Sequence, residues 1–318
     1  MAGAAQSGAG ESQTTAAARN TLPQPTTGAI LGQAFRRTAP GRLYHRWQHM
    51  READVFLLSY PKSGRTWLRL MLGQALLTHY EVTDQRPTAV EKITKTCEGV
   101  PRVVMSHDDN PELKRPGELV TDKGEYRDSR VVLLVRDPRD LIVSLYFGRT
   151  RRRKLDAGSL GKFVYCDRGG VDTIIHYFNV WAANRDVPRA FHLMRYEDLH
   201  LDAALKMRKL FDFLGLQALP DDVIAQAVDY ASFDNMRRME KTDELGSARL
   251  RPGDPNDPES YKTRRGKAGG FVDYLAPDEV QALNEKVDSE LLPLFGYSTA
   301  EMTAVWEQLA GSGGEPQI

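Results

Sequence analysis

The chain has 318 residues, with 43 Lys and Arg against 43 Asp and Glu, so its formal net charge is zero. A balanced charge gives no global field that would attract nucleic acid or an anionic membrane. The two cysteines, Cys97 and Cys166, lie far apart without metal-ligand spacing, which argues against a disulfide scaffold or a zinc site. No apolar run approaches the roughly 20 residues that a membrane span needs, so we expect a cytoplasmic protein.

Residues 1–40 are rich in Ala, Gly, Ser, Thr, Gln and Pro and show no periodic apolar pattern. This composition predicts a disordered N-terminal tail. From Ser12 to Arg51 the chain carries arginines but no acidic residue, which is also the character of an organelle transit peptide. We favour a plain flexible tail, followed by a single folded domain over residues 41–318.

The first motif has the pattern of a strand, a tight turn and a helix. Val55 to Leu58 form an apolar run typical of a buried parallel strand, and helical periodicity begins at Thr66. Between them lie Lys62, Ser63 and Gly64. Because the first N–H groups of a helix have no internal partner and Lys62 adds a full charge, we expect an anion-binding pocket. The alternative is a strand–helix corner whose lysine is merely solvated.

The order of residues in this turn differs from the common nucleoside-triphosphate loop. That loop reads G-x-x-x-x-G-K-[ST], whereas here the lysine precedes the glycine. A P-loop kinase of similar topology, which would need Mg²⁺, therefore fits the turn poorly.

Between the two motifs, residues 81–101 read as polar and irregular, and a strand from Arg102 to Met105 precedes His107. We expect residues 108–123 to form a loop.

The second motif is another buried strand, from Val131 to Val135, that runs into a helix. Asp137 is well suited to cap that helix, and a proline follows it in the first turn. Arg136 then lies at the carboxyl edge of the strand, and Ser144 lies two turns into the helix on its sheet-facing side. We therefore expect both side chains to converge on one phosphate. The alternative makes Arg136 a surface ion-pair partner of Asp140 and Ser144 a helix filler.

Arg149, Arg151, Arg152, Arg153 and Lys154 form a basic run after this helix. One interpretation is that this run steers an anionic acceptor towards the site. We favour the other, that it is a solvated helix end. Tyr177, Phe178 and Trp181 recur at helical spacing and are expected in the core.

A strand from Phe191 to Met194 precedes Tyr196, and a helix is predicted over Ala203–Leu214, ended by Gly215. Strands that alternate with helices predict a parallel sheet with its ligand at the carboxyl ends of the strands. Four polar residues follow directly after predicted strands and should converge there: Lys62, His107, Arg136 and Tyr196.

Residues 237–270 are charged and rich in proline and glycine, without a strong helix or strand pattern. A loop of this length inside a domain is typical of a mobile lid.

The motifs together resemble the cytosolic type of sulfotransferase that depends on 3′-phosphoadenosine 5′-phosphosulfate (PAPS). The resemblance rests on Y-P-K-S-G-x-T-W over residues 60–67 and on R-x(7)-S from Arg136 to Ser144. Matches in the same order continue with V-V-M-S-H at His107, M-R-Y-E-D-L at Tyr196, S-F-x-x-M at Ser232, Phe233 and Met236, and Arg264, Arg265, Gly266 and Gly269. The resemblance implies an α/β, P-loop-like three-layer fold with a central parallel sheet flanked by helices.

The resemblance also implies a role for each motif residue. The first motif would hold the 5′-phosphosulfate through Lys62, Ser63, Gly64, Arg65 and Thr66, and its Trp67 would stack on the adenine together with Phe233. The 3′-phosphate and adenine would be held by Arg136, Ser144, Tyr196, Phe233, Arg264, Arg265 and Gly266. His107 would be the general base and Lys62 would stabilise charge on the leaving phosphate, with no metal required. Ser144 would also contact Lys62 and restrain hydrolysis. For His107 the alternative is a satisfied histidine in a turn.

The chain departs from the family pattern at several positions. Met105 and Ser106 stand before His107 where the family has K-T, so one cation near the base is absent. Arg65 replaces a common threonine and would supply charge beside the 5′-phosphate. The family's short dimerisation motif after residue 271 is missing, so that mode of dimer is not expected.

The acceptor does not follow from the sequence beyond a small molecule with a hydroxyl or amine. Besides a kinase, the other alternative is a catalytically weakened protein that binds 3′-phosphoadenosine nucleotides.

Overall fold

The computed structural model describes residues 53–311. The predicted tail, residues 1–40, lies outside the described residues, so both the tail and the domain boundary at residue 41 stay predictions.

The described sheet has four strands: β1 (Val55–Ser59), β2 (Val103–Ser106), β3 (Arg130–Val135) and β4 (Ala190–Arg195). Their order is β2-β1-β3-β4 and every neighbouring pair is parallel. The apolar runs of β1 and β3 are fully buried, as expected for strands covered on both faces. Each predicted strand is confirmed with bounds that differ by one residue: β1 ends one residue later, β2 is shifted one residue later, β3 begins one residue earlier and β4 is one residue longer at each end.

The helices alternate with these strands along the chain. They are α1 (Arg65–His79), α2 (Val90–Thr96), α3 (Pro138–Phe147), α4 (Leu160–Val164), α5 (Val171–Ala183), α6 (Tyr196–Leu201), α7 (Ala203–Leu214), α8 (Asp221–Tyr230), α9 (Phe233–Thr242), α10 (Pro277–Glu290) and α11 (Thr299–Gly311). A π-helical turn, Gly148–Arg152, continues α3. Asp137 caps α3 by accepting from the N–H of Arg139 at 2.9 Å, as predicted.

Two apolar clusters cover the two faces of the sheet. Val55, Leu57 and Leu134 face a cluster that includes buried residues of α1, α2, α7 and α8. Phe56 and Leu133 face the other, which contains buried residues of α3, α5 and α10 and the aromatic residues of α5 that were expected in the core. Since side chains alternate along a strand, each strand contributes to both clusters. The predicted three-layer α/β fold is confirmed.

Three loop predictions are wrong in part. Residues 81–101 contain α2, which buries Val90 and Ile93, and residues 108–123 contain short 3-10 turns. The first part of the predicted lid is helix, because α9 extends to Thr242 and buries Met236, Met239 and Glu240. The mobility of residues 243–270 stays a prediction.

Candidate active site

The turn between β1 and α1 is tightly constrained. Lys62 and Gly64 both have left-handed backbones, with φ of 78° and 92°. For Lys62 this conformation costs about 1–2 kcal/mol. At Gly64 a Cβ atom would lie 2.4 Å from the ring of Tyr196, so the position requires glycine for space as well as for its φ angle. The turn therefore places the Lys62 side chain and the N-terminus of α1 at the same edge of the sheet.

The Lys62 ammonium lies in a poorly solvated position beside α3. A Cβ atom added at Gly148 would be 3.4 Å from Nζ of Lys62. Burial, followed by the charges of Arg152 and Arg136, lowers the pKa of Lys62 to about 7, against an opposing effect of Glu240. An anion bound here would restore the full charge of the lysine.

His107 follows β2, and the β1–β2 register that pairs Leu58 with Ser106 places its ring beside the end of β1. Nδ1 donates to the carbonyl oxygen of Ser59 at 2.9 Å. Nε2 accepts from Nη2 of Arg65 at 2.5 Å. This pair of contacts defines the tautomer with a bare Nε2. Burial and then the charge of Arg65 lower the pKa of His107 to about 3, so the ring is neutral at physiological pH.

A buried polar network behind His107 fixes the turn that carries it. The Asp108 carboxylate accepts from Nζ of Lys123 at 2.7 Å, the hydroxyl of Tyr126 at 2.7 Å and Nε1 of Trp181 at 3.0 Å. Asp108 and the two residues after it all have left-handed φ angles. Sequence reasoning missed this network; the signal was the Asp-Asp-Asn run, since these residue types tolerate left-handed backbones best.

Arg136 lies at the carboxyl end of β3 between three partners. Its Nη2 donates to the carbonyl of Lys267 at 3.3 Å and lies 3.7 Å from the Asp140 carboxylate. Its guanidinium stacks 4.4 Å from the ring centre of Tyr196. The ion pair with Asp140 is real, but only 12% of the Arg136 side chain is exposed. The alternative of a surface pair is therefore wrong.

Asp140 connects α3 to the late glycine-rich segment. Its two carboxylate oxygens accept from the N–H groups of Gly269 at 2.7 Å and Phe271 at 3.0 Å. Just before this anchor, Arg264 stacks 4.3 Å from the ring centre of Phe147 and pairs with Glu259 at 3.0 Å. The segment with Arg264, Arg265 and Gly266 is thus held over α3.

A second anchor was not predicted. Glu240, fully buried in α9, accepts from the N–H groups of Lys262 at 2.6 Å and Thr263 at 2.9 Å. It also pairs with Arg152 at 3.1 Å. The signal for Lys262 in the sequence was its position two residues before the Arg264-Arg265-Gly266 cluster.

One cavity of about 430 Å³ joins these parts. Every predicted site residue lines it except Ser63, which is buried in the turn. They are Lys62, Gly64, Arg65, Thr66, Trp67, His107, Arg136, Ser144, Tyr196, Phe233, Arg264, Arg265 and Gly266. The structure therefore brings together motifs that are spread over about 200 residues of sequence.

The cavity is strongly basic. Glu112 is the only acidic residue among the described residues that line it. The interpretation of the basic run as a solvated helix end is wrong for Arg149 and Arg152, which are partly buried and line the cavity, whereas Arg153 borders the cavity but is exposed. The reason is that the chain leaves α3 through a π-helical turn, which keeps it along the cavity wall.

Several buried polar atoms around the cavity have no partner in the described part of the protein: Ser63 Oγ, Arg65 Nη1, Trp67 Nε1 and Arg136 Nε. Buried donors are normally satisfied. A ligand with several anionic oxygens would satisfy them, so the residues present fit a phosphorylated nucleotide.

The family model for the sulfotransferase domain matches residues 52–296. The chain belongs to the sulfotransferase family. The prediction of a PAPS-dependent member of this family is thereby confirmed.

Curated relatives agree with this assignment. The chain is 24% identical over 260 residues to flavonol 3-sulfotransferase of Flaveria bidentis, covering 75% of this chain and 81% of the relative. It is 25% identical over 266 residues to cytosolic sulfotransferase 14 of Arabidopsis thaliana, covering 75% of each. It is 29% identical over 202 residues to sulfotransferase 2A2 of Rattus norvegicus, covering 58% of this chain and 66% of the relative.

Solved structures share the fold of this sulfotransferase. Mouse sulfotransferase SULT7A1 complexed with PAP has a TM-score of 0.52 at 20% identity, covering 76% of this chain and 85% of that one. Retinol dehydratase in complex with androsterone and inactive cofactor PAP has a TM-score of 0.51 at 18% identity, covering 74% and 80%.

Two kinds of feature are absent from residues 53–311. No helix in this range has the length and apolar character to cross a membrane. No group of three or more His, Cys, Asp or Glu in the same range is placed to hold a metal ion.

Proposed function

We propose that this sulfotransferase moves the sulfuryl group from PAPS to a hydroxyl or amine of a small molecule by in-line transfer, with His107 as general base. One observation carries the proposal. The Lys62 turn, His107 and Arg136 follow three neighbouring parallel strands and line the same basic cavity. In-line transfer needs the acceptor base and the leaving-group cation on opposite sides of one reacting centre.

The donor would span the two motif turns. The 5′-phosphate lies at the Lys62 turn, where the N-terminal N–H groups of α1 point outward. The 3′-phosphate lies at Arg136, with Ser144 and the segment from Arg264 to Gly266 around it. Adenine is held between Trp67 and Phe233, with Tyr196 below the nucleotide. The mouse relative of the same fold was solved as a complex with PAP, which supports a 3′,5′-bisphosphate as the nucleotide here.

The chemistry then needs one base and one cation. Nε2 of His107 takes the proton of the acceptor as its oxygen or nitrogen bonds to sulfur. The bond from sulfur to the 5′-phosphate oxygen breaks, and Lys62 stabilises the charge that the oxygen gains. Lys62 must be protonated for this role, and the bound phosphate raises its pKa from the value of the free site.

The cavity lining also includes apolar residues that the proposed nucleotide does not use, among them Leu113, Leu155 and Phe163, and such residues suit an apolar acceptor. A relative is named as a flavonol 3-sulfotransferase. We propose a phenolic acceptor on this basis.

We also propose a cytoplasmic location, because one relative is named as a cytosolic sulfotransferase. Residues 243–270 would close over the site as a lid.

The experiment is transfer of labelled sulfate from PAPS to a panel of a flavonol, an aliphatic alcohol and an aryl amine, without divalent metal. We expect label on the flavonol and at least a tenfold lower rate with Lys62→Ala, in line with the usual value of a charge stabiliser, about 10²–10³. Transfer of the γ-phosphate of ATP with Mg²⁺ and no sulfate transfer would contradict the proposal in favour of a kinase. Tight PAP binding without transfer to any acceptor or to water would show a binding protein.

A further inference from the structure

The guanidinium of Arg65 occupies the position that the acceptor must take. Its Nη2 donates to Nε2 of His107 at 2.5 Å, and this nitrogen carries the lone pair that a general base uses. The other nitrogen, Nη1, is buried without a partner among the described residues. Arg65 is the first residue of α1, and its side chain lines the cavity together with His107.

The surroundings leave Arg65 without an acidic partner in the described part of the chain. Arg69, one turn later in α1, is neutralised by Glu91 at 3.1 Å. Arg152 is neutralised by Glu240, and Arg264 by Glu259. The Arg65 guanidinium donates to a neutral imidazole, and burial lowers its pKa to about 10. A buried cation of this kind is stabilised when an anion arrives.

In the proposed reaction the acceptor atom lies next to Nε2 of His107. The reacting sulfur then lies between that acceptor atom and the phosphate beside Lys62. The three sulfuryl oxygens then lie in the space around the His107 ring, where Arg65 is the nearest donor. A planar guanidinium with two free N–H directions matches two such oxygens.

We propose that Arg65 is a catalytic residue of this sulfotransferase, which leaves Nε2 of His107 when the acceptor binds and then donates to the oxygens of the sulfuryl group in transit. The proposal rests on the proposed function. The acceptor proton goes to Nε2, the bond from the acceptor to sulfur forms, and the 5′-phosphate oxygen leaves with the electron pair of the broken S–O bond. Arg65 gains and loses no proton; it compensates charge on the SO₃ group, which PAP lacks.

This role differs from binding of the 5′-phosphate, the role that sequence resemblance implies. If Arg65 binds the 5′-phosphate, its removal should weaken the binding of PAP. If Arg65 binds the sulfuryl group, its removal should lower turnover and leave PAP affinity nearly unchanged.

The test compares Arg65→Gln and Arg65→Lys with a control, Arg185→Gln. Arg185 is an exposed arginine that pairs with its neighbour Asp186 and does not line the cavity. Turnover is measured as labelled sulfate released from PAPS to the flavonol and to water, and PAP affinity by calorimetry. For Arg65→Gln we expect turnover to fall by about 10²–10³ with PAP affinity within about threefold of wild type. Arg65→Lys should recover part of the loss, and the control should match wild type.

The protonation of His107 tests the Arg65–His107 contact on which the proposal depends. The charges that face the ring are Arg65 and Arg69 from α1 and Lys262 from the late loop, all of which lower its pKa, while the Ser59 carbonyl raises it. Removal of Arg65 should raise the pKa of His107 in an NMR titration and move the acid limb of kcat/KM to higher pH. Arg185→Gln should change neither.

Three results would overturn the proposal: wild-type turnover in Arg65→Gln, equal losses of turnover and PAP affinity, or an unchanged His107 titration. If Arg65→Gln does not fold, Arg65→Lys decides the matter by the same comparison of turnover with PAP affinity. If wild type itself neither binds PAP nor transfers sulfate, the proposed function fails instead.

Discussion

At the scale of single residues, the site holds a neutral histidine, His107, and a lysine, Lys62, whose charge depends on whether an anion is bound. His107 is buried beside Arg65, which keeps its pKa at about 3. Burial and the neighbouring arginines lower the pKa of Lys62 to about 7. Burial and the neighbouring positive charges therefore keep His107, the proposed base, unprotonated and leave Lys62, the proposed leaving-group cation, partly deprotonated until an anion binds.

Replacement of His107 by Asn should lower turnover by about 10²–10⁴, the usual contribution of a general base. PAP affinity should remain, because His107 faces the acceptor. Steady-state rates and calorimetric titration with PAP measure the two effects. Full activity in the variant would remove His107 from the mechanism.

The pKa of Lys62 predicts how PAP affinity depends on pH. The pKa in the free protein is about 7 and a bound phosphate raises it, so binding takes up a proton above pH 7. Affinity should be greatest below pH 7 and fall by up to tenfold, or about 1.4 kcal/mol, per pH unit above it. Calorimetry in buffers of different ionisation enthalpy counts the protons. Lys62→Met should abolish most of the proton uptake that accompanies PAP binding. If the proton uptake is unchanged, another residue takes up the proton, and Lys262 is the next candidate because its pKa is also lowered by burial.

At the scale of elements, the turns decide the site. Gly64 meets the Tyr196 ring and Gly269 meets the ring of Trp306 so closely that a Cβ atom would clash at either position. The β1–α1 turn is therefore packed directly on the start of α6, and the nucleotide pocket depends on that contact.

Gly64→Ala should weaken PAP binding by at least tenfold, because the added Cβ pushes the turn away from Tyr196 and strains a φ of 92°. Calorimetry measures the loss. Gly158→Ala is a matched control, since it also has a positive φ but no atom within 4 Å of the added Cβ. Equal PAP affinity in Gly64→Ala and wild type would show that the turn does not shape the site.

The elements also show how far the sequence leads. The strands were predictable because β1 and β3 are continuous apolar runs, and the end of each strand gave the position of Lys62 and Arg136. Helix α9 was missed because half of its 10 residues are charged and only a narrow stripe with Met236, Met239 and Glu240 is buried. The Arg65–His107 contact joins residues 42 apart, and no local pattern encodes such a pair.

At the scale of the whole molecule, the order of the parallel strands determines where the candidate site residues lie. The order β2-β1-β3-β4 places the ends of β2, β1 and β3 side by side. His107, the Lys62 turn and Arg136 follow these strands in that spatial order, so the proposed base, 5′-phosphate site and 3′-phosphate site lie next to one another along the sheet edge. The segment after α9 is anchored beside these residues, because Glu240 accepts from the N–H of Lys262 and Asp140 from the N–H of Gly269.

The most direct test of this arrangement is calorimetric binding of PAP and of ATP to the full chain in the presence of EDTA. Arg136 and its neighbours should read the 3′-phosphate, and a charge-assisted bidentate contact contributes about 1.5–3 kcal/mol. We predict that PAP binds at least about tenfold more tightly than ATP. ATP affinity equal to or greater than that of PAP would contradict the account.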